Sequence, residues 1–136
     1  KFIVEEFIKG KELTVSTINF SNKIEALGVT EIKHDKSFFD YQSKYSKGLA
    51  KHILPAKITK KNYEKCLNLA IRAHSLLGCK SIARTDFILN TNNNKIYFLE
   101  TNSQPGLTSV SLLPEQAKFK KISFPEIILN IIQNTT

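Results

Sequence analysis

Hydrophobic positions along the chain switch between a period of two and a helical period, and each switch marks an element. Phe2, Val4, Leu13, Val15 and Thr17 alternate with their neighbours as strand residues do, and Lys9-Gly10 supplies a turn between the two runs. A third strand is predicted over residues 25–34, followed by a Gly- and Lys-bearing connection with a loop around residues 46–51. Tyr63, Leu67, Ala70, Ile71, His74 and Leu77 then recur at helical spacing, which predicts a helix from a cap at Thr59 through Leu77, ended by Gly78. After a hairpin come a Ser/Thr-rich turn feeding a short helix in TSVSLLPEQAKF, and an amphipathic helix over residues 124–134 with Pro125 in its first turn. No repeat, low-complexity tract or linker interrupts the series. These elements predict an α+β fold, a mostly antiparallel sheet with helices packed on one side. Because the pattern starts inside a strand, without cap or leader, the chain is expected to be incomplete.

The hairpin, RTDFILNTNNNKIYFLETN over residues 84–102, carries a carboxylate in each apolar run. A turn centred on Asn93 opposes like with like: Phe87 with Leu99, Ile88 with Phe98, Leu89 with Tyr97 and Thr85 with Thr101. The same register sets Asp86 opposite Glu100 and Arg84 opposite Asn102, all on one face, with opposed Cβ atoms about 5 Å apart. Like charges so close destabilise a sheet unless something positive lies between them. Arg84, a nearby lysine or a metal ion would serve. Two carboxylates and a carboxamide oxygen form a hard donor set of the kind that holds Mg²⁺ or Mn²⁺ and shares it with phosphates. A solvated face balanced by Arg84 explains the spacing equally well.

With 136 residues, 41% of them hydrophobic, the chain suffices for one domain with a core. It has no apolar run long enough to span a bilayer and no signal-like start, so it reads as cytoplasmic, without a membrane partner. Cys66 and Cys79 lack the CxxC spacing of zinc or redox sites and read as buried free thiols. The net charge of +8 admits an anionic partner. Yet the lysines are scattered, densest at Lys57, Lys60, Lys61 and at Lys118, Lys120, Lys121, and no aromatic-interleaved basic stretch suits stacking on bases. Nucleic acid is therefore not the expected partner.

Four strings in this order, VEEFIKGKELTV, FDYQSKY, LGCKSIARTDFIL and FLETNSQPGLTSVSLLP, resemble the C-terminal half of the D-alanine–D-alanine ligase family of ATP-grasp enzymes, from about residue 2 to about residue 132. The hairpin's Asp, Glu and Asn fit the wider ATP-grasp pattern, whereas PGLTSVSL and FDYQSKY are similar to this ligase among its relatives. The resemblance implies an ATP-grasp C-terminal lobe. It makes 1–136 a fragment of the catalytic domain, without the N-terminal substrate domain and most of the central ATP-binding domain. The implied reaction is ATP-dependent ligation of two D-alanines through an acyl phosphate, for peptidoglycan synthesis. D-lactate or D-serine are possible second substrates.

Position by position, the resemblance implies that Asp86, Glu100 and Asn102 hold two Mg²⁺ (or Mn²⁺) ions against the ATP phosphates. Arg84 corresponds to an arginine that steadies the phosphate and tetrahedral oxygens, and the N–H of Gly106 to an oxyanion donor. Ser111 and the amide of Leu112 match the holders of the second D-alanine's carboxylate. Glu5 and Glu12 match acidic residues near the adenine amino group and the ribose hydroxyls, and Glu6, Phe7 and Ile8 match the segment whose backbone lines the adenine pocket. Many relatives have Lys where Glu6 stands. Lys44 matches a residue reaching the phosphates, and Tyr45 one that helps close a loop over the site. His34, His52 and His74 match no catalytic position. The full-length protein is expected to be a homodimer acting on D-alanine and ATP, and this chain alone is expected to be inactive. The runner-up readings are another ATP-grasp carboxylate–amine ligase and a non-catalytic basic nucleic-acid-binding module.

Overall fold

Residues 13–18, LTVSTI, are all buried, which only a central strand covered on both faces permits. In the computed structural model, which describes residues 2–21, 23–34 and 50–135, they form the middle of β1 (Gly10–Phe20). The other elements are β2 (Lys23–His34), β3 (Ala50–Ile53), α1 (Lys60–Leu76), β4 (Ile82–Asn90), β5 (Ile96–Asn102), α2 (Leu112–Phe119) and α3 (Phe124–Thr135). The five strands make one sheet in the order β3-β2-β1-β4-β5, with every neighbouring pair antiparallel. The α+β architecture is the one expected.

Each face of β1 has its own helical cover. Leu13 and Val15 join Val29, Phe87 and Leu89 in a cluster closed by Cys66 and Ala70 of α1. On the other face, Ile18, Leu27 and Ile82 meet Leu113 and Ala117 of α2 and Ile127 of α3. The helices therefore do not share one side, as the sequence reading had them. The apolar stripes of α2 and α3 need a second apolar surface, and Ile18, Leu27 and Ile82 provide it.

The long helix forms as its pattern predicts. The Thr59 hydroxyl accepts the Asn62 N–H at 3.3 Å, Leu77 is the C-cap, and Gly78 follows at φ +64°. The C-terminal helix also stands where expected, with Pro125 in its first turn. The opening of the chain differs: residues 2–9 form no strand, and Phe2, Ile3, Val4 and Phe7 are exposed. Gly10 is the first residue of β1, opposite Asn90, rather than half of a turn. Because β4 ends at Asn90, the segment before Gly10 has run past its neighbour's backbone partners, and alternation alone does not make a strand. A Cβ at Gly10 would collide with the Leu89 carbonyl, so the close approach there requires glycine. The short strand β3 occupies part of the predicted connection, including residues 50 and 51 of its loop.

Candidate functional site

The antiparallel registers align one row of polar residues across four strands: Thr30 on β2, Thr14 on β1, Asp86 on β4 and Glu100 on β5. The adjacent row on the same face runs Ser16, Arg84, Asn102. α2 covers the Thr30–Thr14 end of this face, and its cover gives out toward β5. The side chain of Asp86 is accordingly 15% exposed and that of Glu100 69%.

The predicted hairpin register holds from the Arg84–Asn102 pair to the Asp86–Glu100 pair and then slips by one. Beyond Asp86, Phe87 faces Phe98, Ile88 faces Tyr97 and Leu89 faces Ile96, so the expected pairs of Phe87 with Leu99, Ile88 with Phe98 and Leu89 with Tyr97 do not form. Leu99 is the extra residue of a β-bulge. The slip lets Phe98 meet buried Phe87 edge-on, with ring centroids 6.1 Å apart. It also moves the turn off its predicted centre, with Asn90 donating its N–H to the Lys95 carbonyl at 2.9 Å. A bulge of this kind re-aims a side chain beside a site, and here it lets Phe98 face Phe87 while Asp86 stays opposite Glu100.

Arg84 stands between those carboxylates. Its Nε donates to Asp86 Oδ1 at 3.1 Å and Oδ2 at 3.2 Å, and its Nη2 to Oδ2 at 2.9 Å; Glu100 Oε1 lies 4.0 Å from Nη2. Burial works against the guanidinium charge. The hydrogen bonds and charge of Asp86, followed by the charges of Glu100 and Glu12, outweigh it and hold the Arg84 pKa above the ordinary arginine value. Asp86 Oδ1 also accepts the Thr14 hydroxyl at 2.6 Å. This fixes the carboxylate from the opposite strand.

Past β5, Asn102 Oδ1 accepts the Gln104 N–H at 2.8 Å and turns the chain toward Gly106. A Cβ at Gly106 would lie 2.8 Å from Ser111 Oγ, so the glycine permits the backbone to close on Ser111. Ser111 occupies the N-cap position of α2, yet its side chain makes no cap hydrogen bond. Its hydroxyl turns back to Thr108 instead, accepting that residue's N–H at 3.1 Å and pairing with its Oγ1 at 2.8 Å. Since Pro114 has no N–H, the N–H groups of Leu112 and Leu113 form the uncapped first turn of α2, a place that favours an anion.

The sheet thus brings Arg84, Asp86, Glu100 and Asn102 together, with Glu12 on the same face of β1, opposite Ile88. Gly106, Ser111 and Leu112 are likewise joined at the start of α2. Glu5, Glu6, Phe7 and Ile8 belong to the irregular segment before β1, outside the sheet. Lys44 and Tyr45 lie outside the described residues. Among the described residues no group of three or more His, Cys, Asp or Glu is placed to hold a metal. The donor set is two carboxylates completed by a carboxamide, hard oxygens that fit Mg²⁺ or Mn²⁺.

Sequence reasoning missed Thr14, Thr30 and Gln116, all fully buried. The alternating hydroxyls of LTVSTI were the available signal for Thr14. Elsewhere, a concavity of about 520 Å³ between Lys11, Lys57, Asn62 and Asn94 belongs to the α1 side of the sheet, away from the acidic pair. Both cysteines are free, and burial pushes the Cys66 thiol up to about 11, which keeps it unreactive.

A family model described as "D-ala D-ala ligase C-terminus" matches residues 1–133. The D-alanine–D-alanine ligase of Wolbachia pipientis wMel is 43% identical over 136 residues, covering 99% of this chain and 42% of that protein. The crystal structure of D-alanyl-alanine synthetase A from Vibrio cholerae is similar with a TM-score of 0.82 at 28% identity, over 96% of this chain and 40% of that one. A Bacillus anthracis D-alanine–D-alanine ligase complexed with ATP gives a TM-score of 0.72 at 28% identity, over 96% and 41%. The chain spans about two-fifths of the length of the relatives it matches. With its sheet, its acidic pair and its Gly106–Ser111 turn in the order that the resemblance implied, the chain belongs to the D-Ala–D-Ala ligase C-terminus family.

Proposed function

We propose that the protein carrying this chain ligates two D-alanines with ATP, through an acyl phosphate, for peptidoglycan synthesis, and that residues 1–136 are its C-terminal ATP-grasp lobe. The observation that carries this reading is the Asp86–Glu100 pair, bridged by Arg84 on one sheet face and flanked by Asn102. Family membership supports the ligase class, and the ATP complex of the Bacillus anthracis relative supports the nucleotide.

In this reading Asp86, Glu100 and Asn102 hold two Mg²⁺ or Mn²⁺ ions, whose chemistry is to neutralise charge on the ATP phosphates during transfer. Arg84, already in line with both carboxylates, turns its guanidinium to the oxygens of the transferring phosphoryl group and of the tetrahedral intermediate. The Gly106 N–H donates to the oxyanion. Ser111 and the Leu112 N–H take the carboxylate of the second D-alanine at the uncapped start of α2, where aligned peptide dipoles favour an anion. Glu12, with Glu5 and the Glu6, Phe7, Ile8 backbone, serves the ribose and adenine; Lys44 reaches the phosphates, and Tyr45 helps close the site. The remaining parts, including the first-substrate domain, come from outside this chain. No helix among the described residues is long and apolar enough to cross a membrane. In this reading the full-length protein is a cytoplasmic homodimer.

The test is phosphate release by the full-length protein with ATP and Mg²⁺. Release that requires D-alanine is expected. Release with a different amino acid and none with D-alanine would move the protein to a neighbouring carboxylate–amine ligase. The 136-residue chain by itself is expected to make no dipeptide.

A further inference from the structure

Gln116 of α2 is fully buried, and its carboxamide is committed to the central strands. Its Oε1 accepts the Ser16 N–H at 2.8 Å, while its Nε2 donates to the Thr14 carbonyl at 3.2 Å and to the Thr30 hydroxyl at 2.9 Å. Thr14, equally buried, passes its own hydroxyl to Asp86 Oδ1 at 2.6 Å. Contact through Gln116 and Thr14 therefore runs without a break from α2, whose first turn carries Ser111 and Leu112, across β1 to the acidic pair.

Apolar contacts of Leu113, Ala117 and Ile127 already hold the helices onto this face. Such contacts are non-directional and leave a helix some freedom to slide or rotate. A buried carboxamide with three partners does not, because hydrogen bonds weaken steeply with misalignment and an unmade buried one is costly. The two substrate-facing parts of the site sit on different elements: the metal-type donors on β4 and β5, and the anion-binding turn on α2. Something must set their separation.

We infer that Gln116 and Thr14 are positioning residues that hold the carboxylate-binding end of α2 in register with Asp86, so that the amine of the second amino acid meets the acyl phosphate at reacting distance. This rests on the ligase reading above. Neither side chain touches substrate; each acts through a residue that does.

The experiment uses the full-length protein. Gln116→Met keeps length and removes the hydrogen bonds; it is expected to raise the KM for the second D-alanine about ten-fold and lower kcat, while the KM for ATP stays within about two-fold, since a misplacement of about 1 Å is enough for losses of this order. Thr14→Val removes only the hydroxyl and is expected to raise the Mg²⁺ concentration needed for half-maximal rate, and Thr14→Ser is expected to restore it. A second-D-alanine KM unchanged in Gln116→Met, or Thr14→Ser as impaired as Thr14→Val, overturns the inference even if both variants melt earlier. Should Gln116→Met fail to fold, Thr30→Val removes one of the three bonds and is held to the same KM split. If the unaltered protein releases no phosphate with D-alanine, the ligase reading fails by itself. Hydrogen exchange then decides the tie separately: faster exchange at the hydrogen-bonded Glu115 and Lys120 amides of α2 in Gln116→Met supports it, and unchanged exchange overturns it.

Discussion

On β4 two faces divide the work. Thr85, Phe87 and Leu89 are buried, while Arg84, Asp86 and Ile88, one residue out of step, are only half-buried. The buried side meets α1 through a close-packed apolar cluster. The other side holds an Arg between two carboxylates at the margin of α2. A strand's period of two makes this division possible: one backbone register sets both the core and the site, so the packing of one face holds the geometry of the other.

The sharpest way to break that comparison is to damage the faces separately. Phe87→Ala removes the largest fully buried side chain among the described residues and is expected to cost about 3–5 kcal/mol of stability, read from denaturant unfolding. Glu100→Gln is expected to do the reverse in the full-length enzyme: a loss of about 10²–10³ in kcat, or about 3–4 kcal/mol of transition-state stabilisation, with the melting temperature nearly unchanged because Glu100 is mostly exposed. A Glu100→Gln enzyme with full activity would remove the chemical role from this face.

A pH series probes the buried side by a smaller perturbation. His74 of α1 is fully buried, with Nδ1 against the Thr17 hydroxyl at 2.9 Å. Burial lowers its pKa, opposed in part by a backbone hydrogen bond at Cys79. The unfolded chain, with an ordinary histidine pKa of about 6.5, thus takes up the proton first as pH falls. Stability is expected to be level above that value and to decline below it until the folded pKa is passed. Urea midpoints on either side of about pH 6.5 measure this, and His74→Gln should flatten the decline. The smallest effect belongs to a helix end outside both faces: Thr59→Ala, which removes the cap of α1, is expected to cost about 1 kcal/mol.

How much of this was legible varies by element for physical reasons. α1 could be bounded to within a residue because a helical stripe, a Thr cap and a Gly stop all act locally. The acidic end of the hairpin was legible because charged and hydroxyl residues sit amid apolar ones and admit one sensible pairing. Its other end was not, because Tyr97, Phe98 and Leu99 are consecutive apolar residues, and alternation cannot tell which of them faces Phe87. The strand expected at Phe2 and Val4 failed for want of a neighbour alongside it. In the site, Asp86, Glu100, Asn102 and Arg84 stood out by their chemistry, whereas Gln116 looked like an ordinary polar residue of a short helix.

By itself the sequence determined the local matters: where α1 starts, is capped and stops, and that two carboxylates face each other across a hairpin. These follow from periods, side-chain volumes and charges acting over a few residues. Tertiary structure alone decided which face each helix covers, where the bulge at Leu99 falls, and that Gln116 reaches Ser16, Thr14 and Thr30. The Gln116 bonds join partners 86 to 102 residues apart in the chain, and the burial and hydrogen bonding that select all three outcomes exist only once the sheet has formed.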